Sequence, residues 1–564
     1  MQVMAGTGGG QILRVDLTNG QCFREQLPAE VMTAALGGRG LGAALLSGTA
    51  GGDPFAPGKP LVFSSGPLCG TATPLSTRCV VTGHSPLTGT LFSCSSGGDF
   101  ARYLKKAGLA ALVIQGESST PCLLQVAPDA VSLAPATALW GLDTVATLQQ
   151  LSGEGGCAVI GPAGENGVLY ASIETAHGEP FDRGGLGAVL GQKKLKAITL
   201  NGAATTAVAD QPAFDKALED LLRLFRASPF LYGPLGIRQY GTAALVDLLS
   251  RRGMLPGVNF NGFAGQSAQW NAAALHRRYN TQGGGCHDCP VACKRLLPDG
   301  SLLPEYDALA GFGGLCGLAG LDEIVQLCRQ CRMLGLDPVS AAATLALWSE
   351  LRGQELDSGL ISRLLTEIAT GGAQDPSLAL GAARYAAALQ QPGKAMTVKG
   401  LELPPYDPRA STGLALAYAT SPHGGSHLPA WPIASEILRK PVPTDRFSFD
   451  GKARVIAMFE DANAAVDALP LCRFASAAVE LEELAALLAA VTGQSYCAAD
   501  LGRIGRRIIL QERAFNQGCG FTAADDSLPQ RFFTEPANGL ASLDRHRFEQ
   551  ELAAYHRIRA AQCL

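Results

Sequence analysis

The sequence predicts an α+β protein: a β-rich N-terminal domain over residues 1–206, then two mainly helical domains over 207–395 and 396–564. Three observations predict it. Short apolar runs between glycine or proline breaks fill the first two hundred residues, as strands would. Apolar residues at helical spacing fill most of the remaining chain. At 564 residues the chain is also too long for one core.

The strands come first. Ile12–Leu17 alternates, Thr18-Asn19-Gly20 turns, and Cys22–Glu25 returns, which is a hairpin with an Asn-Gly turn. Leu61–Phe63, Cys79–Thr82, Ala111–Ile114, Ala158–Ile160 and Ala197–Leu200 come next as short apolar strands. The 68 glycines are densest here, where backbone must turn tightly or approach something closely. After Asn201-Gly202 the pattern changes. Asp210 opens a helix through Phe214, Leu218, Leu221 and Phe225. Further helices are predicted near 322–335, 339–352, 358–369, 377–390, 452–468, 478–491, 499–516 and 543–560. Two β-like islands interrupt them, at 280–300 and at 395–409.

Composition narrows the function. Lys and Arg number 45 against 49 Asp and Glu, so no basic surface invites nucleic acid. No uncharged apolar run approaches the roughly 20 residues that span a bilayer. Met1–Gly6 lacks a basic segment followed by an apolar one, so no secretory signal is expected and the protein reads as cytoplasmic. Its 16 cysteines are then thiols and metal ligands rather than disulfides. Cys22 and Cys122 read as small packing residues.

One cysteine cluster stands apart. Cys286-His287-Asp288-Cys289-Pro290-Val291-Ala292-Cys293 has the spacing C-x2-C-x3-C, preceded by Gly283-Gly284-Gly285. Three thiolates so close can hold one face of an iron–sulfur cluster, the fourth ligand coming from afar. A zinc site and three unrelated core cysteines are the alternatives. Zinc sites usually show a second close ligand pair, and none lies nearby. Gly38-Arg39-Gly40-Leu41-Gly42 comes after a helical pattern, so a dinucleotide-binding reading fails its context. Arg183-Gly184-Gly185-Leu186-Gly187-Ala188 is as weak a dinucleotide signal, but its glycines suit a phosphate approaching backbone N–H groups.

Together these motifs resemble the tungsten-containing aldehyde:ferredoxin oxidoreductases, from about residue 10 to the C-terminal helix. The likeness rests on Leu36–Leu41, Thr77–Gly89, Ser96-Gly97-Gly98, Ile160–Asn166, Arg183–Val189, the cysteine cluster, Leu334–Asp337, Pro404–Arg409 and Asp467–Cys472, in that order. The resemblance implies a tungsten (or molybdenum) bis-molybdopterin centre, with a magnesium ion bridging the pterin phosphates as a further candidate. It implies a [4Fe-4S] cluster on Cys286, Cys289, Cys293 and Cys472, with Arg78 between pterin and cluster. The β-rich domain would bind pterin and phosphate, with Ser95 standing where the family often has asparagine. Arg183, Gly184, Gly185, Gly187, Leu336, Asp337, Asp467 and Leu471 match cofactor-binding positions.

Two departures stand out. Proline replaces glycine at 470, and Arg332 stands where a pterin-binding aspartate is expected. Arginine cannot accept a hydrogen bond, so either this pterin is held differently or Arg332 reaches a pterin carbonyl or phosphate. In the substrate pocket the resemblance implies a carboxylate, Asp307 with Glu305 nearby, and His427, which manage protons during a two-electron oxidation. Aldehyde would become carboxylic acid, with electrons leaving singly to a ferredoxin or ferredoxin-like subunit. Reduction of aryl-CoA thioesters by the same cofactor is the first alternative. A catalytically altered electron-relay paralogue is the second, raised by Arg332 and Asp307. Gln326 occupies the family's dimer-bridging glutamate position, so a metal-bridged dimer is not expected, while another homodimer or a hetero-oligomer stays open.

Overall fold

The computed structural model describes residues 10–151, 153 and 155–562. Met1–Gly6 therefore lies outside the described residues. Two mixed sheets build the N-terminal region. The first runs β2 (Gln21–Gln26), β1 (Gln11–Asp16), β6 (Ala111–Gln115), β3 (Leu61–Ser64), β4 (Cys79–His84), β5 (Leu91–Ser96). Only β1 and β6 pair in parallel; the predicted hairpin β1–β2 pairs Gln11 with Gln26 and Asp16 with Gln21. The second runs β10 (Glu174–Thr175), β9 (Gly156–Val159), β11 (Leu195–Leu200), β7 (Cys122–Val126), β8 (Val131–Pro135).

Four of these strands lie outside the sequence expectation, the two-residue β10 among them. β5 reads Leu-Phe-Ser-Cys-Ser-Ser, too polar for an apolar run, because its far end faces the site rather than the core. β7 and β8 form a hairpin whose outer strand carries a proline and is only partly buried.

The helical remainder keeps the predicted order. Gln211–Ala227 starts on Asp210, whose side chain accepts from the N–H of Ala213. Asp337, Asp357 and Asp544 cap the helices Pro338–Arg352, Ser358–Thr370 and Arg545–Ala561 in the same way. The stretch near 377–390 differs: a 3-10 turn, Pro376–Leu380, and a helix, Ala382–Ala388, meet at Gly381. The two islands are short hairpins, Gln282–Gly284 with Lys294–Leu296 and Thr397–Val398 with Leu401–Glu402. Apolar packing crosses the linear order: one buried cluster joins Ile12, Leu41 and Val62 to Phe214, Leu221, Leu488 and Ile508. No helix among the described residues is long and apolar enough to cross a membrane.

Candidate active site

The cysteine loop sits against the inner end of β4 and β5. The hairpin Gln282–Gly284 and Lys294–Leu296 closes its base. Pro290 O accepts from the Tyr232 hydroxyl at 3.0 Å and from Arg238, and His287 O accepts from Thr77 Oγ1 at 3.1 Å. Cys472 lies just past the helix Lys452–Ala468, and its N–H donates to Leu75 O at 2.9 Å, which brings it to the same place. Arg78 joins the set. Its Nε donates to Ser95 Oγ at 2.8 Å and its Nη2 to Ser95 O at 2.7 Å. Burial lowers its proton affinity, but Cys472, Cys286, Glu179 and Cys293 raise it above the usual guanidinium range, and Cys289 feels the same charge. Burial pushes the Cys286 thiol up to about 12, and raises Cys289 and Cys293 too. These thiols ionise only against a strong positive charge, which iron would supply. Among the described residues no three His, Cys, Asp or Glu side chains stand close enough to hold a single metal ion.

Gly97 explains why this corner is so tight. A Cβ there would lie 2.3 Å from Cys286 Sγ and 3.3 Å from Arg78 Nη1. Beside it, Lys294 reaches Glu179 at 3.3 Å and Glu305 at 2.6 Å. Burial alone would raise Glu305, but Lys294 holds it below the usual carboxylate range. Glu305 thus belongs to an ion pair beside the cysteine loop.

Asp307 stands in the first turn of the helix Tyr306–Ala310, which runs on into a π-helical turn, Gly311–Leu315. Such turns recur at functional sites. Burial lifts Asp307 to about 6, opposed by a hydrogen bond from Tyr406 and by Arg183. The Tyr406 ring packs at a tilt against His427, with centroids 4.7 Å apart, and against Tyr306 at 4.9 Å. His427 is 7% exposed, and burial lowers it to about 3, so it is neutral at pH 7. Asp307 Oδ1 and His427 Nδ1 are both buried without a hydrogen-bond partner. Tyr406 is therefore the residue through which the predicted acid and histidine meet.

The predicted cofactor positions form two flanks. On one, Arg183, Gly184 and Gly185 run left-handed, and a Cβ on Gly185 would lie 1.8 Å from Leu169 O. The next helix, Leu186–Gln192, passes Gly187 closely over Ser172 O, where a Cβ would lie 2.3 Å away. Arg183 lies 3.5 Å from Asp337, which accepts from Val339 and Ser340 N–H at 3.0 and 3.2 Å. Leu336 is buried and bridges to Ala171. Arg332 donates to Gly178 O, and Glu174, Asp182, Glu305 and Glu179 raise its affinity for its proton against burial.

On the other flank Asp467 Oδ2 accepts from Arg39 at 3.2 Å and from Arg473 at 2.5 Å. Arg39 is anchored in turn on Glu512 at 2.7 Å. Leu471 is buried, its N–H donating to Val466 O at 3.1 Å. Arg473 Nη1 and Asp182 Oδ1 are shielded from solvent without partners. Four thiols round one arginine, with unsatisfied donors and acceptors on both flanks, are a donor set that fits an iron–sulfur cluster and a polar heterocycle such as a pterin.

Sequence reasoning missed Lys294, Glu179, Asp182 and Arg473. A usable signal was present: Glu174, Glu179 and Asp182 crowd next to Arg183-Gly184-Gly185 in a chain only 17% charged.

Two family models match the chain: "Aldehyde ferredoxin oxidoreductase, N-terminal domain" over residues 12–202, and "Aldehyde ferredoxin oxidoreductase, domains 2 & 3" over 216–560. The tungsten-containing aldehyde ferredoxin oxidoreductase of Pyrococcus furiosus is 33% identical over 580 residues, covering 98% of this chain and 96% of that protein. The WOR-like subunit of an aliphatic sulfonate oxidoreductase from the same organism is 26% identical over 472 residues, 74% of each chain. Among solved structures, the active site complex BamBC of benzoyl coenzyme A reductase with 1,5 dienoyl-CoA matches with a TM-score of 0.84 at 22% identity, over 98% of this chain and 94% of that one. At that identity the match speaks for the fold alone. By sequence along nearly its whole length, the chain belongs to the aldehyde ferredoxin oxidoreductase family, a family of oxidoreductases.

Proposed function

We propose that this protein oxidises aldehydes to carboxylic acids and passes the electrons to a ferredoxin or ferredoxin-like iron–sulfur subunit. The observation that carries the proposal is the buried Asp307–Tyr406–His427 constellation, with one open acceptor and one open ring nitrogen, on the same framework as four thiols gathered round Arg78. When bound, a tungsten or molybdenum bis-pterin centre supplies two-electron chemistry, and a [4Fe-4S] cluster on Cys286, Cys289, Cys293 and Cys472 supplies the one-electron exit.

The protein's own contribution is to bind, orient and manage protons. Near neutral pH Asp307 is largely ionised, since its midpoint lies at about 6. It can take a proton from a water or hydrate held against it, with Tyr406 fixing the carboxylate's orientation. His427, neutral with a midpoint at about 3, offers Nδ1 as an acceptor rather than a positive charge. Tyr306 and Tyr418 hold the floor: their hydroxyls donate to Pro405 O at 2.7 Å and Pro404 O at 3.3 Å. Arg183 and Asp337 on one flank, and Arg473 and Asp467 on the other, would hold the two pterins.

The test is anaerobic purification followed by iron, tungsten, molybdenum and pterin assays on one sample, then an aldehyde screen with a viologen dye. Iron with tungsten or molybdenum, pterin and aldehyde-dependent dye reduction is the expected result. Iron without heavy metal or pterin would sink the proposal and favour an electron-relay role.

A further inference from the structure

Asp182 lies between two fixed points. Phe181 before it pairs with Ile173, N–H to O at 2.8 Å. Arg183 after it opens three consecutive left-handed residues, with φ of 70°, 67° and 70° at Arg183, Gly184 and Gly185. The backbone is thus held on both sides, and the carboxyl points into a buried patch with Glu174, Asp337, Arg183 and Arg332. Burial pushes its proton affinity well up, Asp337 and Glu174 push it further, and Arg332 and Arg183 oppose them.

The neighbouring carboxylates are committed. Asp337 caps a helix and faces Arg183. Glu174 accepts from Ser172 Oγ at 2.9 Å. Glu179 faces Lys294 at 3.3 Å. Asp182 Oδ1 has no donor at all. A carboxyl kept in such surroundings without a donor is costly in the empty protein and useful only to something that brings N–H groups.

Across the patch stands Arg332, at the end of the helix Leu321–Leu334, where it can donate but not accept. A pterin presents the N–H groups of an amino-pyrimidinone edge, which a single carboxylate accepts well. We propose that Asp182 is the carboxylate that accepts this edge of one pterin, with Arg332 across the patch as its counter-charge. In this chain the acceptor thus sits on the loop before the glycine turn rather than at the helix end. The inference rests on the bis-pterin reading above.

The test compares wild-type holoenzyme with Asp182→Asn and with the double variant Asp182→Asn/Arg332→Asp. Pterin is released by acid oxidation and measured by fluorescence, iron is measured on the same samples, and melting is followed on cofactor-free protein. Asp182→Asn is expected to lose about half its pterin, keep its iron and melt no lower than wild type, since a strained carboxyl is gone. The double variant, with an acceptor restored at 332, is expected to regain pterin. Full pterin in Asp182→Asn overturns the proposal. Loss of iron with a lowered melting temperature marks a structural role and overturns it too. A double variant that recovers nothing refutes the pairing with Arg332. Wild-type protein without pterin would instead bring down the functional reading itself.

Discussion

Replacing Gly97 by alanine tests the cysteine corner directly. The added Cβ would lie 2.3 Å from Cys286 Sγ, 3.3 Å from Arg78 Nη1 and 3.3 Å from Glu179 Oε2. Nonbonded heavy atoms settle at about 3.5–4.0 Å, so the sulfur must retreat by more than ~1 Å. Small-to-large strain of this kind costs about 1–3 kcal/mol. The protein can meet that cost and stay folded. A cluster ligand displaced so far cannot keep its bond, because metal–ligand distances tolerate only about 0.2 Å. Gly97→Ala is therefore expected to purify as folded protein, with near-normal far-ultraviolet circular dichroism, but with iron well below wild type and the visible cluster absorbance lost. Iron and absorbance equal to wild type in Gly97→Ala would refute the reasoning, since Cys286 would then not be a ligand or the corner would be looser than these distances make it.

Tyr406→Phe removes a hydrogen bond that lowers Asp307. A bond to a charged group is worth about 1.5 kcal/mol, so the acidic limb of the kcat/KM profile should move up by about one pH unit from near 6. A limb that stays put or moves down would count against Asp307 as the proton acceptor. The same raised carboxyl stabilises the fold fully below the ordinary aspartate midpoint, and that contribution is lost as pH rises through about 6. Glu512→Gln leaves Arg39 buried against Asp467 alone, and a broken buried pair costs about 3–5 kcal/mol, read as a lower midpoint in urea. Arg39 holds Glu512 down to about 2, so this pair's stabilisation should persist until pH falls towards that value. Gly502→Ala, inside the helix Ala498–Gly518 with open space for a Cβ, should stabilise the protein by up to about 1 kcal/mol, and an unchanged or lower melting temperature would contradict it.

The helices were legible because their signals are local. Asp210, Asp357 and Asp544 mark starts, and apolar spacing marks the buried faces. β5 escaped because strand residues that line a site need not be apolar. The order of strands in each sheet has no local signal, since pairing such as β1 with β6 joins segments far apart in the chain. At the site, Cys286, Cys289 and Cys293 were visible by spacing alone, whereas Cys472 needed the family resemblance. Lys294 carried no signal, and Glu179 and Asp182 showed only as a crowding of charge beside the glycine turn, with no role legible in it. Their importance lies in facing one another across folded segments, and isolated charges in loops carry no periodicity.

With the four thiols as the cluster's ligands, as proposed above, their split has a consequence for how the protein is made. Three donors emerge together on one loop, while the fourth comes after the helix Lys452–Ala468, when most of the helical region has been synthesised. A nascent chain can offer an incoming cluster only a three-point grip. On that ligand set, the fourth bond would form only once Cys472 had been drawn in beside Leu75. Completion of the cluster would then act as a late fastening between the first sheet and the C-terminal helices, and a chain truncated before Cys472 could load iron only in a labile form.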